Sequence, residues 1–445
     1  MTRRKSLPPS LGWPPYAIRL AMKRDPLRLF DYGFRRIGNT VLYDNGQARY
    51  VVLSRPEHIE HTQLRNYRNY FKAADHPVFN RMLGQGVIMT NGEQWKQQRK
   101  ALAPAFQPRQ MAQLVSSMEQ TVVQTVDEWT RDGKGEVDLY EELSILTRRV
   151  VGGALLGTRG DETGGALGKA LDVMVERANL RADRPWHLSL RYPTLRNRRF
   201  HRAVDLIDAF VYRLIEERRA GRGEPDILSM LVSAHEESGL EAMDDTQLRD
   251  QILNLFLAGF ETSASAMSWV FLLLAKYPDT NRRIIQEVQQ VVGDGPMEYE
   301  HLARLEYLGW VLNESMRLYP PIWTNERVAQ DDDEIDGYHI PKGTMVASSM
   351  WLLHHNPDIW TRPNRFEPER FGPERSKRRH KHAFVPFGLG PRTCVGNHFA
   401  TMQAKIMVAT IVRRFAVDVH STDAKPQAAV TLRPTGGLPG RLRPR

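Results

Sequence analysis

One long stretch of the chain, read as a helix, is apolar on nearly every side in its middle part. It begins near Asp244, where Gln247 completes a capping-box pattern, and runs to Lys276. At about 30 residues and ~1.5 Å per residue, such a helix spans about 45 Å. Glu261 lies near its middle, where a charge would be costly in lipid. A helix apolar on all sides is typical of one surrounded by protein, so we predict a buried core helix rather than a membrane span.

The N-terminal region, about residues 1–91, mixes β-like and helical patterns. Thr40–Tyr43 and Tyr50–Leu53 are β-like runs, and Asn45-Gly46 between them is a strong hairpin turn. The first nine residues are basic and then interrupted by proline, with no apolar segment after them. We therefore expect neither a secretion signal nor a membrane anchor.

Helical periodicity dominates the region from about residue 92 onward. Arg181–Asn197 has two prolines and no clean period, so we predict a loop between helices there. After Tyr319 the pattern weakens into short strand-like pieces, and a last helix is predicted from about Gly396 to Phe415. With no internal repeat and no low-complexity linker, the pattern favours one domain over 1–445, mainly α with a small β portion (α+β).

Composition narrows the function classes. Lys and Arg exceed Asp and Glu by 62 − 52 = 10, and a basic surface suits nucleic acid, an anionic membrane or an acidic protein. No zinc-finger spacing or aromatic RNA-binding signature accompanies that charge, so we do not expect nucleic acid. The single cysteine, Cys394, cannot form an internal disulfide, which favours a reducing compartment such as the cytoplasm.

That cysteine lies in a glycine-rich loop, residues 387–396, with the sequence Phe-Gly-Leu-Gly-Pro-Arg-Thr-Cys-Val-Gly. Without context, a lone cysteine is more often a small buried apolar residue than a reactive one. Here loop N–H groups and the start of the following helix would both stabilise a thiolate. The glycines let the backbone lie close to a flat partner.

This loop resembles the haem-binding loop of the cytochrome P-450 superfamily. The resemblance implies that Cys394 is the axial ligand of the iron in haem b (iron protoporphyrin IX), with Phe387, Gly388 and Arg392 also contacting the cofactor. It implies the cytochrome P-450 fold, with the long central helix over the haem and the cysteine loop beneath it. The expected activity is a haem-thiolate monooxygenase, because a thiolate ligand favours O–O cleavage.

A second motif, Ala258-Gly259-Phe260-Glu261-Thr262-Ser263, lies in the middle of the long helix. Alone, an acid beside an alcohol is unremarkable. Next to the haem loop it resembles the family's oxygen-activating pair, which implies that Thr262 orders water and Glu261 links it to solvent during proton delivery. Ala258 and Gly259 are then expected against the haem.

Two further sets of residues follow from the resemblance. Glu314 and Arg317, spaced as an ordinary surface ion pair, would form a buried network with Arg370 behind the haem. Four residues would bind the haem propionates: Trp95, Arg99, Arg327 and Arg392. For Arg327 a solvated surface position is the alternative. Gln403 stands where relatives commonly carry glutamate, which affects no catalytic step.

We expect the electrons to come from a separate protein, because no flavin or iron–sulfur module is recognisable in the sequence after the haem loop. A ferredoxin or flavodoxin with its reductase, drawing on NAD(P)H, is the expected partner. The basic run Arg375–Lys381, with Lys96 and Lys100, is a candidate docking surface for it, although a charge run is usually only a solvated face.

The substrate pocket is expected, by family position, to be mainly apolar. Its candidate residues, for each of which core packing is the alternative, are Val87, Ile88, Phe256, Leu257, Ala258, Ile322, Trp323, Thr324, Gly437 and Leu438. The motifs resemble those of the bacterial branch of the family that is closest to eukaryotic fatty-acid and terpenoid hydroxylases. This resemblance implies a hydrophobic substrate. A peroxide-driven enzyme and a haem-based sensor are the alternatives, and the Glu261-Thr262 pair argues against both.

Overall fold

The structure, a computed structural model, describes residues 6–73, 77–133, 135–158, 165–183, 189–223, 226–238 and 243–445. Within this part the protein is mainly α with small sheets, which confirms the predicted fold class. Its α-helices are α1 (Pro15–Arg24), α2 (Pro26–Arg36), α3 (Pro56–Glu60), α4 (Pro77–Leu83), α5 (Gly92–Leu102), α6 (Pro108–Arg131), α7 (Leu139–Leu156), α8 (Gly165–Asp183), α9 (Leu195–Arg219), α10 (Ile227–Ser238), α11 (Asp245–Lys276), α12 (Pro278–Val291), α13 (Tyr299–Arg304), α14 (Glu306–Leu318), α15 (Met350–His355), α16 (Pro373–Ser376) and α17 (Asn397–Arg414).

The strands are short. They are β1 (Thr40–Asp44), β2 (Arg49–Leu53), β3 (Tyr70–Phe71), β4 (Glu136–Asp138), β5 (Thr324–Ala329), β6 (Asp333–Ile335), β7 (Tyr338–Ile340), β8 (Met345–Ser349), β9 (Phe415–Val419), β10 (Pro426–Ala428), β11 (Leu432–Pro434) and β12 (Pro439–Pro444). The hairpin predicted around Asn45-Gly46 is confirmed, since β1 and β2 pair antiparallel.

The long helix is confirmed at both ends. The Asp244 side chain accepts from the Gln247 N–H, and Gln247 returns a hydrogen bond to the Asp244 N–H. This helix, α11, is apolar and long enough to pass for a membrane span by composition, but 78% of its most apolar window is buried in the protein. Its burial is that of a core helix.

The loop predicted over Arg181–Asn197 is shorter than expected. Helix α8 continues to Asp183 and α9 already begins at Leu195, where the Thr194 hydroxyl caps the Asn197 N–H. Residues 184–188 lie outside the described part. The capping threonine follows a proline, and that combination starts a helix at a place where the periodicity is weak.

The chain forms two compact units. Unit 1 comprises residues 1–74, 313–394 and 427–432, and unit 2 comprises 75–312, 395–426 and 433–445. Unit 1 contains a five-stranded sheet in the order β1-β2-β8-β5-β3, and unit 2 contains α11 packed against α7, α9 and α17. The predicted single domain stays a prediction.

Candidate active site

The glycine-rich loop of unit 1 closes on itself around the cysteine. The Cys394 N–H donates to the Phe387 carbonyl at 2.9 Å, and the Thr393 hydroxyl donates to the Gly388 carbonyl at 3.2 Å. Gly388 and Gly390 adopt φ values of 74° and 73°, which suit glycine. The Cys394 side chain is exposed, so its sulfur is accessible to a ligand.

Gln63 holds this loop from the side, a role that sequence motifs do not indicate. Its Oε1 accepts from the Leu389 N–H at 3.1 Å. A Cβ on Gly390 would lie 2.0 Å from the Gln63 carbonyl oxygen, so the second glycine is needed for this close approach. The backbone beside Cys394 is therefore fixed by both its own turn and a neighbouring segment.

Three positively charged side chains of unit 1, near this loop, have lowered pKa values, and charge repulsion among them contributes to the shifts of Lys72 and Arg327. Burial lowers the pKa of Arg327 to about 9 and that of Arg392 to about 10, and the charge of Arg392 adds to the shift of Arg327. The pKa of Lys72 is lowered to about 7, mainly by burial and then by the charges of the two arginines, while Cys394 opposes the shift. Buried and half-buried cations collected in this way suit an anionic group, and the two carboxylates of haem b fit them.

Lys72 was missed by sequence reasoning because it belongs to no motif. Arg327, in contrast, was predicted, and only 7% of it is exposed, so the alternative of a solvated surface residue is wrong. Its guanidinium donates to Asn325 Oδ1 and to the Glu326 carbonyl.

The predicted ion network is assembled in unit 1 with almost no solvent exposure. Arg317 donates to both carboxylate oxygens of Glu314, at 2.7 and 2.8 Å, and Arg370 donates to Glu314 Oε1 at 3.3 Å. Glu314 and Arg317 are 0% exposed. Further donors of both arginines reach main-chain carbonyls, including those of His354 and Thr361. The charges are thus fully paired, as a buried network requires.

In unit 2 the middle of α11 has one accessible face. Ala258 is exposed and Thr262, one turn later, is partly exposed, although the helix around them is largely buried. The Thr262 hydroxyl donates to the Ala258 carbonyl at 2.6 Å, so its oxygen keeps lone pairs that can accept from a donor such as water. Gly259 lets α11 pack closely on α7, because a Cβ there would lie 3.3 Å from a Val151 methyl group.

Glu261 is 8% exposed and lies against Tyr140, the second residue of α7. The Tyr140 hydroxyl is 3.5 Å from Glu261 Oε1 and also hydrogen-bonds the Arg433 side chain. Burial raises the pKa of Tyr140, and the Glu261 charge raises it further. Sequence reasoning missed Tyr140 and Arg433, which come from distant segments.

The other predicted residues of unit 2 are divided between an accessible and a buried set. Trp95 and Arg99 lie one turn apart on α5, with Trp95 6% exposed. Val87, Ile88 and Leu257 keep accessible surface. The Val87 and Ile88 N–H groups are held by side chains of α11.

Three predicted pocket residues pack in the protein instead. Phe256 is 4% exposed and stacks on Phe260 at 5.5 Å. Leu438 is 1% exposed, and its N–H donates to the Asp138 carboxylate, which also fits closely against Gly437. In unit 1, Trp323 packs on Phe30 and donates to the Ala429 carbonyl, while Ile322 is 37% exposed. Packing thus accounts for part of their apolar character, and their place in a substrate pocket stays a prediction.

Residues 8–437 match the family model described as Cytochrome P450. The chain belongs to the cytochrome P450 family. It is therefore a cytochrome P450 monooxygenase, and the family implies a haem cofactor. The recognition made from the loop at 387–396 is confirmed.

Curated P450 relatives and solved P450 structures cover almost the whole chain. Cyclooctat-9-en-7-ol 5-monooxygenase of Streptomyces melanosporofaciens is 31% identical over 93% of this chain and 91% of that protein. Rat cytochrome P450 4F6 is 30% identical over 81% of this chain and 72% of its own length. A cyanobacterial P450 solved with retinoic acid, CYP120A1, has a TM-score of 0.87 at 25% identity over 100% of both chains. The haem domain of cytochrome P450DA has a TM-score of 0.90 at 25% identity over 100% of this chain and 98% of that one, and the P450 fold is thus confirmed.

Proposed function

We propose that this P450 inserts one oxygen atom of O₂ into a hydrophobic small molecule, a terpenoid or a fatty acid, with electrons from a separate protein. The observation that carries the proposal is the exposed Cys394 in a loop beside three cations, of which Arg327 is buried and Lys72 and Arg392 are half-buried. The relative named as an oxygenase of cyclooctat-9-en-7-ol supports a terpenoid substrate. We further propose that the enzyme works in the cytoplasm, where its thiol stays reduced.

Within this proposal, Cys394 ligates the haem iron as a thiolate, and Lys72, Arg327 and Arg392 bind the carboxylates of haem b. Trp95 and Arg99 are proposed as further carboxylate contacts. When bound, the haem supplies oxygen activation, to which a thiolate ligand contributes electron density. The protein fixes the sulfur through the Phe387 carbonyl and Gln63, so the ligand needs no rearrangement on binding.

Proton delivery is proposed for Thr262 and Glu261. Because the Thr262 proton is directed to the Ala258 carbonyl, its oxygen is oriented to accept from water and to hold that water for proton transfer. Glu261 is the acid that replaces the proton, and Tyr140 fixes its carboxylate. Gln403 accepts from the Ser263 hydroxyl at 3.3 Å, so the residue that departs from the family pattern contributes to helix packing.

The first experiment is a carbon monoxide difference spectrum of the reduced holoenzyme, followed by turnover under ¹⁸O₂. A red-shifted Soret band and one ¹⁸O atom per product molecule are expected. A spectrum typical of nitrogen ligation, or product oxygen from water, would contradict the proposal. Turnover with hydrogen peroxide alone at the rate seen with O₂ and NAD(P)H would favour the peroxide-driven alternative.

We also propose that an acidic ferredoxin or flavodoxin docks on the basic run Arg375–Lys381. Part of this run is already paired: Arg375 with Glu367 and Lys377 with Glu374. Arg378 is exposed and makes no ion pair within the described residues of the chain. It is therefore the side chain of the run best placed to gain a partner carboxylate.

The docking proposal is tested by the rate of reduction with an acidic ferredoxin and NAD(P)H at increasing salt. The rate should fall as salt screens the charges, and Arg378→Glu should slow it at low salt. Arg304→Glu, which changes an exposed arginine of α13, is the control. Equal slowing by both variants, or no salt dependence, would rule out docking at this run.

A further inference from the structure

Glu326 is a carboxylate on a sheet face whose other residues include an apolar cluster. In β5, Thr324 and Glu326 alternate with Asn325 and Arg327, so the two pairs point to opposite faces. Glu326 is in register with Ala347 of β8, which is in register with Val52 of β2. Glu326 therefore shares its face with residues of an apolar cluster that includes Val41, Val52 and Ala347.

The carboxylate is accessible but lies inside the protein. The Glu326 side chain is exposed to solvent, yet burial is the main cause that raises its pKa. A carboxylate that solvent can reach but that protein atoms surround lines a recess and does not lie on the outer surface. No hydrogen bond or ion pair to this carboxylate occurs within the described residues, since Arg327 bonds the main-chain carbonyl of Glu326 instead. A carboxylate that is reachable, surrounded by protein and without a partner among these residues can accept a hydrogen bond from a ligand.

Two more polar groups share this face. The Thr324 hydroxyl is buried and has no hydrogen-bond partner in the described part of the chain. Tyr50 lies two strands from β5, which is roughly 10 Å. The Glu326 charge contributes to raising the pKa of Tyr50, so the two groups are close enough to interact. Apolar walls with a few polar groups are typical of a small-molecule pocket.

We propose that Glu326 is the anchor for the hydroxyl group of an otherwise apolar substrate, so that this P450 prefers a hydroxylated terpenoid or long-chain alcohol to a fatty acid. The proposal rests on the monooxygenase function proposed above. An ionised or a protonated Glu326 can hydrogen-bond a hydroxyl, which both donates and accepts. A fatty-acid carboxylate at the same place would meet a like charge instead. The related oxygenase of cyclooctat-9-en-7-ol is named for a substrate that is an alcohol.

The test measures substrate binding to the holoenzyme by the spin-state shift of the haem. The probes are geranylgeraniol, the hydrocarbon of the same skeleton without the hydroxyl, and palmitic acid. The native enzyme should bind the alcohol about tenfold more tightly than the hydrocarbon, as expected for a hydrogen bond to a charged group. Glu326→Leu should abolish that difference and improve palmitate binding, and Glu326→Gln should give an intermediate result. Glu334→Leu, at an exposed position of β6, should change nothing.

Three outcomes would overturn the proposal: tighter binding of palmitate than of the alcohol by the native enzyme, no detectable alcohol binding, or equal losses for alcohol and hydrocarbon in Glu326→Leu. The carbon monoxide spectrum of each variant separates this result from the proposed function. A normal thiolate spectrum with no alcohol preference removes only the anchor. An abnormal spectrum in the native protein removes the monooxygenase proposal itself.

Discussion

The loop that carries Cys394 and the middle of α11 are held in very different ways. The loop is fixed by its own turn and by Gln63, and the same unit contains a buried network in which Glu314 pairs with two arginines. The acid–alcohol pair has much weaker support. Thr262 makes one short bond to a carbonyl of its own helix, and Glu261 meets Tyr140 at 3.5 Å.

This difference matches the two proposed tasks, iron ligation by the loop and proton delivery by the acid–alcohol pair. A metal ligand acts best when its position is fixed before binding, because any rearrangement would cost free energy. Groups that pass protons have to make and break hydrogen bonds, so long or single contacts suit them. Substitutions in unit 1 should therefore affect folding and cofactor retention, whereas substitutions in the middle of α11 should affect turnover alone.

The largest effect is expected from Cys394→His. A nitrogen ligand lacks the electron donation of a thiolate, so oxygenase activity should fall below detection even if haem still binds. The carbon monoxide difference spectrum and product formation are the measurements. Thr393→Val, which removes a neighbouring hydroxyl but keeps the sulfur, should retain the native spectrum. A native spectrum in Cys394→His would show that the cysteine is not the ligand.

Next in size is the loss of the buried network. Glu314→Gln leaves the buried Arg317 without its counter-charge and leaves Arg370 with Glu367 alone, which should lower the free energy of unfolding by about 3–5 kcal/mol. The matched control is Asp279→Asn, which breaks the exposed pair with Arg282 at the same spacing and should cost under ~0.5 kcal/mol. Urea unfolding of both variants measures the difference. Similar costs for the two would mean that burial does not matter.

A smaller and more selective effect is expected from Thr262→Val. Without the hydroxyl that orders water, product formation should slow about 100-fold while NAD(P)H is still consumed. The free energy of unfolding should change by less than ~1 kcal/mol. Thr121→Val removes the same kind of hydroxyl-to-carbonyl bond from α6 and should leave turnover unchanged. A large stability loss in Thr262→Val would contradict the contrast between the two regions.

The smallest effect is predicted for Tyr140→Phe. Removing one hydrogen bond to Glu261, worth about 1 kcal/mol, should slow turnover about fivefold and enlarge its solvent isotope effect. Tyr299→Phe, at a residue that is 38% exposed, is the control. An unchanged isotope effect in Tyr140→Phe would show that the tyrosine only packs against Glu261.

The helix ends and the chemistry-bearing loop were predictable because their causes are local. The capping box joins Asp244 to Gln247, only three positions away, and it predicts the start of α11. The spacing of Gly388, Gly390 and Cys394 is characteristic of the P450 haem-binding loop and can be recognised without any distant residue. The pocket predictions at Phe256 and Leu438, both buried, stay predictions. Where a segment is apolar on all sides, its pattern does not tell which face meets the core and which meets a ligand.

The sequence by itself determined the family and the boundaries of the long helix, and it predicted the roles of the cysteine loop and of the acid–alcohol pair. Only the tertiary structure showed that Gln63 supports Leu389 from 326 positions away, that Lys72 adds a third cation, and that Tyr140 meets Glu261. It also showed that Glu326 shares a sheet face with an apolar cluster and has no hydrogen-bond or ion-pair partner in the described part of the chain. Hydrogen bonds and charges act between atoms that are close in space, and chain folding, not sequence spacing, sets those distances.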